Sequence, residues 1–308
     1  MLVNRELILA QIEFTYGTDP NPSAAIDAVL VENLSWANEG LRMNDRPSLR
    51  TNIGKLQQIF GGTMRTVTFD VEIKGSGTAG TAPEVGQLLQ CCGFGETVVP
   101  ATSVAYKPVS TGHESCTIYH YVDGKLWIMT GCRGNVSINL ETGMQGKMSF
   151  TFTGHIAGPT SVAIPSPTLD ATVPVAILNG TFSIGGYSAV VNALSFDMAN
   201  AISAVPDMSA SDGYGEVRIT ARDVNGSYDP EAVLPGVDNP WSELLAGSQL
   251  ALDTGVIGSV AGNRYQIEAP VVVYRDMTPG DREGVRSYDI PFGCAEDSGD
   301  DEISITYT

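Results

Sequence analysis

Residues 66–73 alternate strictly: Val67, Phe69, Val71 and Ile73 are apolar, and Thr66, Thr68, Asp70 and Glu72 are polar. A period of two puts one set on each face of a half-buried strand. The same pattern recurs where Gly134, Val136, Ile138 and Leu140 interleave with Arg133, Asn135, Ser137 and Asn139, and where Met148, Phe150 and Phe152 interleave with Ser149, Thr151 and Thr153. Asp123-Gly124, between Cys116–Val122 and Lys125–Met129, predicts a tight hairpin turn. Helical spacing is rare. Thr81 and Glu84 stand three apart as a capping box with Pro83 in the first turn, predicting a helix that stops near Gly93 with Leu88, Leu89 and Cys92 as its apolar stripe. A second short helix is predicted from Asn239-Pro240 to Gly247, with Leu244 and Leu245 inward. The pattern predicts a mainly β protein.

The order of these features repeats along the chain. Leu30–Trp36 is similar to Val190–Phe196, Val67–Lys74 to Val217–Val224, and Pro83 through Leu89 to Pro240 through Leu245. Gly124–Trp127 is similar to Gly262–Tyr265, and Phe150 and Phe152 to Ile290 and Phe292. Each pair is weak alone; five in one order predict a duplicated β fold with one helix per copy. The expected organisation is a first β domain over 1–158 with an N-terminal arm, a linker over 159–174 rich in Pro, Ser and Thr, a second β domain over 175–295, and a solvated acidic tail over 296–308.

Composition narrows the function classes. The chain has 308 residues, enough for about two domains at roughly 100–200 residues each. No apolar run approaches the ~20 residues of a membrane helix, and Met1–Gly17 carries Arg5, Glu6 and Glu13 without a small-residue cleavage site. The sequence therefore predicts a protein that acts or assembles where it is made. The net charge is −18, and it is uneven: residues 1–158 hold 11 basic and 14 acidic side chains, residues 159–308 hold 6 and 21 with no Lys. Such a surface repels phosphate instead of gripping it. Five cysteines, with Cys91 and Cys92 adjacent and Cys116, Cys132 and Cys294 scattered, imply reduced thiols packed as small hydrophobes and no paired framework.

Several motifs invite a chemical reading and fail on context. Gly75-Ser76-Gly77-Thr78-Ala79-Gly80 has dinucleotide-loop spacing, but the preceding strand alternates and no parallel βαβ series follows; a flexible crossover is expected. Leu252-Asp253-Thr254-Gly255 has the form of an aspartic-protease half-site, yet the chemistry needs two carboxylates and the chain has one copy. Asp223–Asp229 spaces oxygen ligands like a calcium loop without the closing Glu, and an Asn-Gly turn is expected there. His113, His120 and His155 form no metal-ligand spacing, and no G-x-S-x-G elbow is present. The sequence thus predicts no catalytic, cofactor-binding or metal site.

Glu72-x-x-Gly75-Ser76-Gly77-Thr78-Ala79-Gly80-Thr81-Ala82-Pro83-x-x-Gly86-x-Leu88-Leu89-x-x-Cys92-Gly93-Phe94 resembles the tail tube (major tail) proteins of long-tailed bacteriophages, as do Tyr16–Pro22, Tyr106-x-Pro108-x-Ser110 and Thr130-Gly131-x-Arg133-Gly134. In the second half the resemblance rests on Gly262-Asn263, Ala269-Pro270 and Asp281-Arg282-x-Gly284. It implies a β-sandwich with a flanking helix, copies of which sit around a ring so that one sheet of each lines a channel. Rings then stack into the tube through which DNA is delivered. The partners implied are the chain itself, as a trimeric pseudo-sixfold ring in preference to a hexamer, and tape-measure, tail-tip and tail-terminator proteins. The site implied is the virion tail, reached by assembly in the host cytoplasm, with DNA passing unbound. Thr66, Thr68, Asp70, Glu72, Asn135, Ser137, Ser149 and Thr151 are the expected channel-facing residues. The stretches 1–27 and 37–62, too polar for core and too long for idle turns, are expected to be irregular, to order on assembly and to make ring-to-ring contacts. The alternative is a carbohydrate- or receptor-binding β-sandwich of a virion. It needs clustered exposed aromatics, whereas Trp36, Trp127 and Trp241 fall at strand or helix positions expected to pack.

Overall fold

The computed structural model describes Leu2 and residues 5–308. The alternating segments are strands, and they join edge to edge into one antiparallel sheet that runs through both halves of the chain. Met64–Glu72 lies between Glu32–Glu39 and Lys147–Ser161, and Lys147–Ser161 pairs on its other side with Lys125–Glu141. The sheet continues across Val191–Asp197, Asn225–Pro230, Val285–Ala295 and Tyr265–Tyr274. Laterally, then, the first half runs Glu32–Glu39, Met64–Glu72, Lys147–Ser161, Lys125–Glu141. The second runs Val191–Asp197, Asn225–Pro230, Val285–Ala295, Tyr265–Tyr274, the same order counted along the sequence. Phe69 opposes Phe150 in one half as Tyr228 opposes Ile290 in the other. Lys125–Glu141 is 17 residues long, so one edge serves two neighbours. Its start pairs with Cys116–Val122, and Ser137–Glu141 pairs with Val191–Asp197.

The apolar faces pack inward on a second layer. Glu6–Ile12 pairs with Cys116–Val122, and Phe94–Val99 with Ser103–Pro108. A single apolar cluster contains Phe69, Phe150 and Phe152 of the first half and Phe196, Tyr228 and Phe292 of the second. Each such ring withdrawn from water contributes ~1.5–3 kcal/mol before packing terms. Helix α1, Gly86–Cys91, buries Leu88, Leu89 and Cys91 in this cluster, with Cys92 following. It begins later than the capping box predicts. Val85 is its N-cap without a side-chain bond, because Glu84 is drawn elsewhere: its carboxylate accepts from Leu30 N–H at 2.9 Å and pairs with buried Lys74 at 3.2 Å. Helix α2, Pro240–Ala246, follows the sequence closely, with Asn239 accepting from Ser242 N–H and Gly247 left-handed at the C-cap. Leu244 packs on the core, but Leu245 is 71% exposed, so only half of the expected stripe is buried.

Four other expectations are corrected. Residues 1–27 are not irregular throughout, since Glu6–Ile12 is a strand with Leu7, Ile8, Leu9 and Ala10 buried. The sheet strand matching Met64–Glu72 is Asn225–Pro230; Tyr214–Ala221, which overlaps the expected match Val217–Val224, forms a separate hairpin with Ala201–Pro206. Asn225-Gly226 is therefore inside a strand and not a turn. Gly226 is needed there, because a Cβ would lie 2.1 Å from Ser195 O and 2.7 Å from the Phe292 ring. Finally, the chain end is no solvated tail: Ser304–Tyr307 is a strand between Tyr265–Tyr274 and Ser103–Pro108, with Ile305 and Tyr307 in the core. The alternation of Ile303, Ile305 and Tyr307 outweighs the acidity before it. Arg222 takes up part of that acidity by pairing with Asp300 and, at 2.9 Å, Glu302.

Candidate functional site

Turning Val67, Phe69 and Val71 inward necessarily turns their neighbours outward, and the register brings those neighbours side by side. Thr66 opposes Thr153, Thr68 opposes Thr151, Asp70 opposes Ser149 and Glu72 opposes Lys147. On the next strand Asn135 opposes Thr151 and Ser137 opposes Ser149. All eight residues singled out in the sequence thus share one face. Several are paired across strands: the Thr66 and Thr153 hydroxyls are 3.1 Å apart, those of Thr68 and Thr151 3.3 Å, and Ser149 donates to Asp70 at 2.5 Å. The face continues into the second half, where Ser137 opposes Asp197, Asn139 opposes Ser195 and Ser195 opposes Ser227. Asn135 donates to Asp197 at 2.7 Å across that junction. Sequence reasoning missed Ser195, Asp197, Asn225 and Ser227. The first two carried a signal, their alternation with Leu194 and Phe196; the last two were hidden by a turn signature.

Electrostatically the face is acidic with local compensation. Lys147 bonds Glu32 at 2.6 Å, and that bond holds the ammonium above its ordinary pKa. The Ser149 hydroxyl is committed to Asp70 and the Thr68 and Thr151 hydroxyls to each other, and the carboxylates of the face repel phosphate.

The other motifs are occupied by structure. The Gly75–Gly80 loop has given its amides away: Gly75 N–H donates to Asn263 Oδ1 at 2.9 Å and Gly77 N–H to Gly262 O at 3.0 Å. Its glycines permit that approach, since a Cβ on Gly75 would lie 2.0 Å from Gly262 O. Asp253 accepts from Gly255 N–H and from Gln266. His120 pairs with Glu6 at 2.9 Å and His155 with Asp212 at 2.6 Å. Among the described residues no cluster of His, Cys, Asp and Glu is arranged to hold a metal. Trp36 and Trp241 are 48% and 53% exposed, against the expectation that they pack. Trp36 and Trp127 enclose the buried Arg65 guanidinium at 4.0 and 3.9 Å, and burial pushes that group down to about 10.

The model of the phage tail tube protein family matches residues 4–294. The chain belongs to that family. No curated protein matches it. As a tail tube protein it is a structural component of the bacteriophage virion, located in the tail. Among the described residues no helix is long and apolar enough to cross a membrane.

Two edges of this tube protein are then of interest. Among the described residues Glu32–Glu39 pairs as a strand on one side only, with Met64–Glu72. At the other end Thr278–Arg282 pairs, among the described residues, only with Val285–Asp289, through a two-residue turn in which Glu283 and Gly284 have φ of 52° and 87°. Two hairpins leave the same end of the sheet. The one carrying Tyr214–Ala221 lies against the first half, where Arg133 donates to Glu216 at 2.7 Å, Val217 O at 2.7 Å and His113 O at 2.8 Å. Tyr16 lies under it, accepting from Val217 N–H at 2.6 Å, and burial raises its phenol to about 12. The other, with Met43–Asn44 paired to Ile59–Phe60, ends in a loop whose Leu49 and Ile53 are fully exposed.

Proposed function

We propose that three chains close a ring with pseudo-sixfold symmetry, and that stacked rings form a channel for DNA. The observation that carries this reading is the repeated strand order together with the two unpaired edges. Inside the chain the two four-strand sets are joined where Ser137–Glu141 meets Val191–Asp197. Glu32–Glu39 holds the position in the first set that Val191–Asp197 holds in the second. Thr278–Arg282, beside Val285–Asp289, continues the line of Tyr265–Tyr274 as Ser137–Glu141 continues Lys125–Val136. Antiparallel pairing of Thr278–Arg282 with Glu32–Glu39 of a second copy therefore repeats the internal junction. Such a head-to-tail contact closes if the rotation permits, and two sets per chain make three chains the count for six.

In such a ring the polar face lines the channel, with Thr66, Thr68, Asp70, Glu72, Asn135, Ser137, Ser149 and Thr151 from one set and Ser195, Asp197, Asn225 and Ser227 from the other. A wall rich in carboxylates and small hydroxyls repels phosphate and offers little to hold it, so DNA slides. The two sets correspond to the domains read from the sequence, 1–158 and 175–295, and the channel wall is shared between them. The contacts with tape-measure, tail-tip and terminator proteins belong to the same reading. Native mass spectrometry of dissociated tubes, with end-on electron-microscopy classes, tests it. Three chains per ring with six lobes are expected; six chains per ring overturn the duplicated-set arrangement.

A further inference from the structure

The chain contains two Asn-Gly steps, and the fold treats them oppositely. Asn179-Gly180 and Asn225-Gly226 carry the same chemistry, a labile amide side chain followed by a backbone nitrogen with no Cβ beside it. The step at 225 is locked. Asn225 stands between Asp197 and Gly293 of the flanking strands, Gly226 stands between Phe196 and Phe292, and the Asn225 amide donates to Asp223 O at 2.8 Å. Packing leaves Gly226 no room to turn, since a Cβ there would lie 2.1 Å from Ser195 O.

The step at 179 is open. Asn179 and Gly180 are both exposed and belong to no strand or helix. Among the described residues no hydrogen bond holds the Asn179 side chain or the Gly180 N–H. Asn179 is left-handed, with φ 55°, a conformation that Asn visits more readily than other side chains. The chain is fixed on both sides of the pair: Ile177 N–H donates to Met144 O at 2.9 Å, and Ser183 opposes Asp253 across a strand pair. Between these anchors a Cβ on Gly180 would meet only Thr254 O, at 3.6 Å, so the Gly180 nitrogen is free to swing toward the side chain before it. Beside the pair opens a cavity of about 220 Å³ lined by Leu178, Asn179, Phe182, Leu194 and Ile257.

We propose that Asn179 is a site of spontaneous deamidation, with water as the co-reactant. The Gly180 nitrogen attacks Asn179 Cγ: the N–Cγ bond forms, the Cγ–Nδ2 bond breaks, and Nδ2 leaves as ammonia with the proton that the Gly180 nitrogen gives up. Water then opens the cyclic imide at either carbonyl, giving aspartate or isoaspartate with no change of oxidation state. Either product places a new negative charge at the mouth of the cavity, and isoaspartate also lengthens the main chain between the two anchors. The reaction needs one chain only and is independent of the ring. The converted fraction therefore records how long a chain has been folded.

The test is peptide mass mapping of the purified full chain after days in warm, mildly alkaline buffer, with isoaspartate counted by methyl transfer from labelled S-adenosylmethionine by an isoaspartyl methyltransferase. The peptide holding Asn179 is expected to gain the mass difference between amide and acid and to take up label, while the peptide holding Asn225 does neither. In urea both peptides are expected to convert, because the protection of Asn225 comes from the fold. Gly180→Ala, whose Cβ the structure accommodates, is expected to slow conversion roughly tenfold by hindering the nitrogen. Asn179→Gly suits the left-handed turn and is expected to abolish label in that peptide. An Asn179 peptide that stays unmodified in the folded chain while it converts in urea overturns the proposal. Equal conversion of the two steps in the folded chain overturns the claim that the fold selects between them, and conversion unchanged by Gly180→Ala removes the Gly180 nitrogen as the attacking group. Should Gly180→Ala not fold, the two peptides of the parent decide alone.

Discussion

Two hairpins occupy the same place in the two halves, between the first and second strands of a four-strand set, and they differ in what holds them. The hairpin at 201–221 is fastened to the first half by Arg133, Tyr16 and the His155–Asp212 pair, and Val217 is fully buried. The one at 40–62 is held only at its base, where Tyr214 donates to Gly40 O at 2.5 Å and Arg42 lies 4.1 Å from the Tyr214 ring. Beyond that base residues 45–58 are exposed except for Leu56. The first hairpin finds its partner sheet in its own chain, and the second stands out from it. One is therefore tied to folding and the other is free for the assembly proposed above, and variants should separate the two.

The largest effect is expected at the fastening of the packed hairpin. Arg133 is 8% exposed and donates to three backbone carbonyls as well as Glu216. Arg133→Ala strips those carbonyls and the carboxylate of their donor. Breaking a buried, hydrogen-bonded pair costs ~3–5 kcal/mol, and urea unfolding should show a loss in that range. A loss below ~1 kcal/mol would mean that water replaces the guanidinium and that the hairpin is packed, not latched. The two helices sharpen the same contrast at slightly lower cost. Leu88→Ala in α1, at a site with no exposure, should cost ~2–5 kcal/mol, while Leu245→Ala on the exposed side of α2 should stay within ~0.5 kcal/mol.

Acid should loosen the packed hairpin and leave the free arm indifferent. The hydrogen bond from Arg133 holds Glu216 below the ordinary carboxylate range, and Ser110, followed by Arg222, does the same for Asp300 in the loop before the last strand. A carboxyl whose folded pKa is depressed binds its proton more readily in the unfolded chain. Its stabilisation is present above the unfolded value of ~4.3 and is lost as pH falls through the lower folded value. Thermal melts from pH 7 to pH 2 should therefore fall most steeply below about pH 4. Arg133→Ala should flatten part of that slope; an unchanged slope would remove Glu216 from the account.

The fold was legible where one periodicity acts alone. Val67 to Ile73, Phe150 and Phe152 announced both the sheet and its polar face, and the eight residues named from them do share that face. Helix α2 was legible to its caps because Asn239, Pro240 and Gly247 act locally. Three features depended on distant partners and were misread. Lys74 and Leu30 N–H claim Glu84 and cancel the capping box at Thr81. The strand Asn225–Pro230 looks like a turn until Ser195 and Phe292 are seen closing on Gly226. Ser304–Tyr307 reads as a tail because the two strands that flank it come from residues 103–108 and 265–274. The basic arm at 45–58 was visible only as a length of chain without a core; its charge against an acidic molecule was the signal left unread.

A small effect on stability is expected from removing that arm, and it tests the comparison from the other side. Asn44 and Ile59 are paired directly opposite each other, so an Asn-Gly turn can replace residues 45–58 without disturbing the strands. The excised residues bury almost nothing, and shortening the loop lowers the entropy of closing it. Stability should change by about 1 kcal/mol or less, on the favourable side. Rings should form as before, because Glu32–Glu39 and Thr278–Arg282 are untouched, while tubes should not. A deletion that destabilises the chain by more than ~2 kcal/mol would place the arm among the folding contacts and erase the difference between the two hairpins. A deletion neutral in both folding and stacking would leave the charge of the arm without a partner in this molecule.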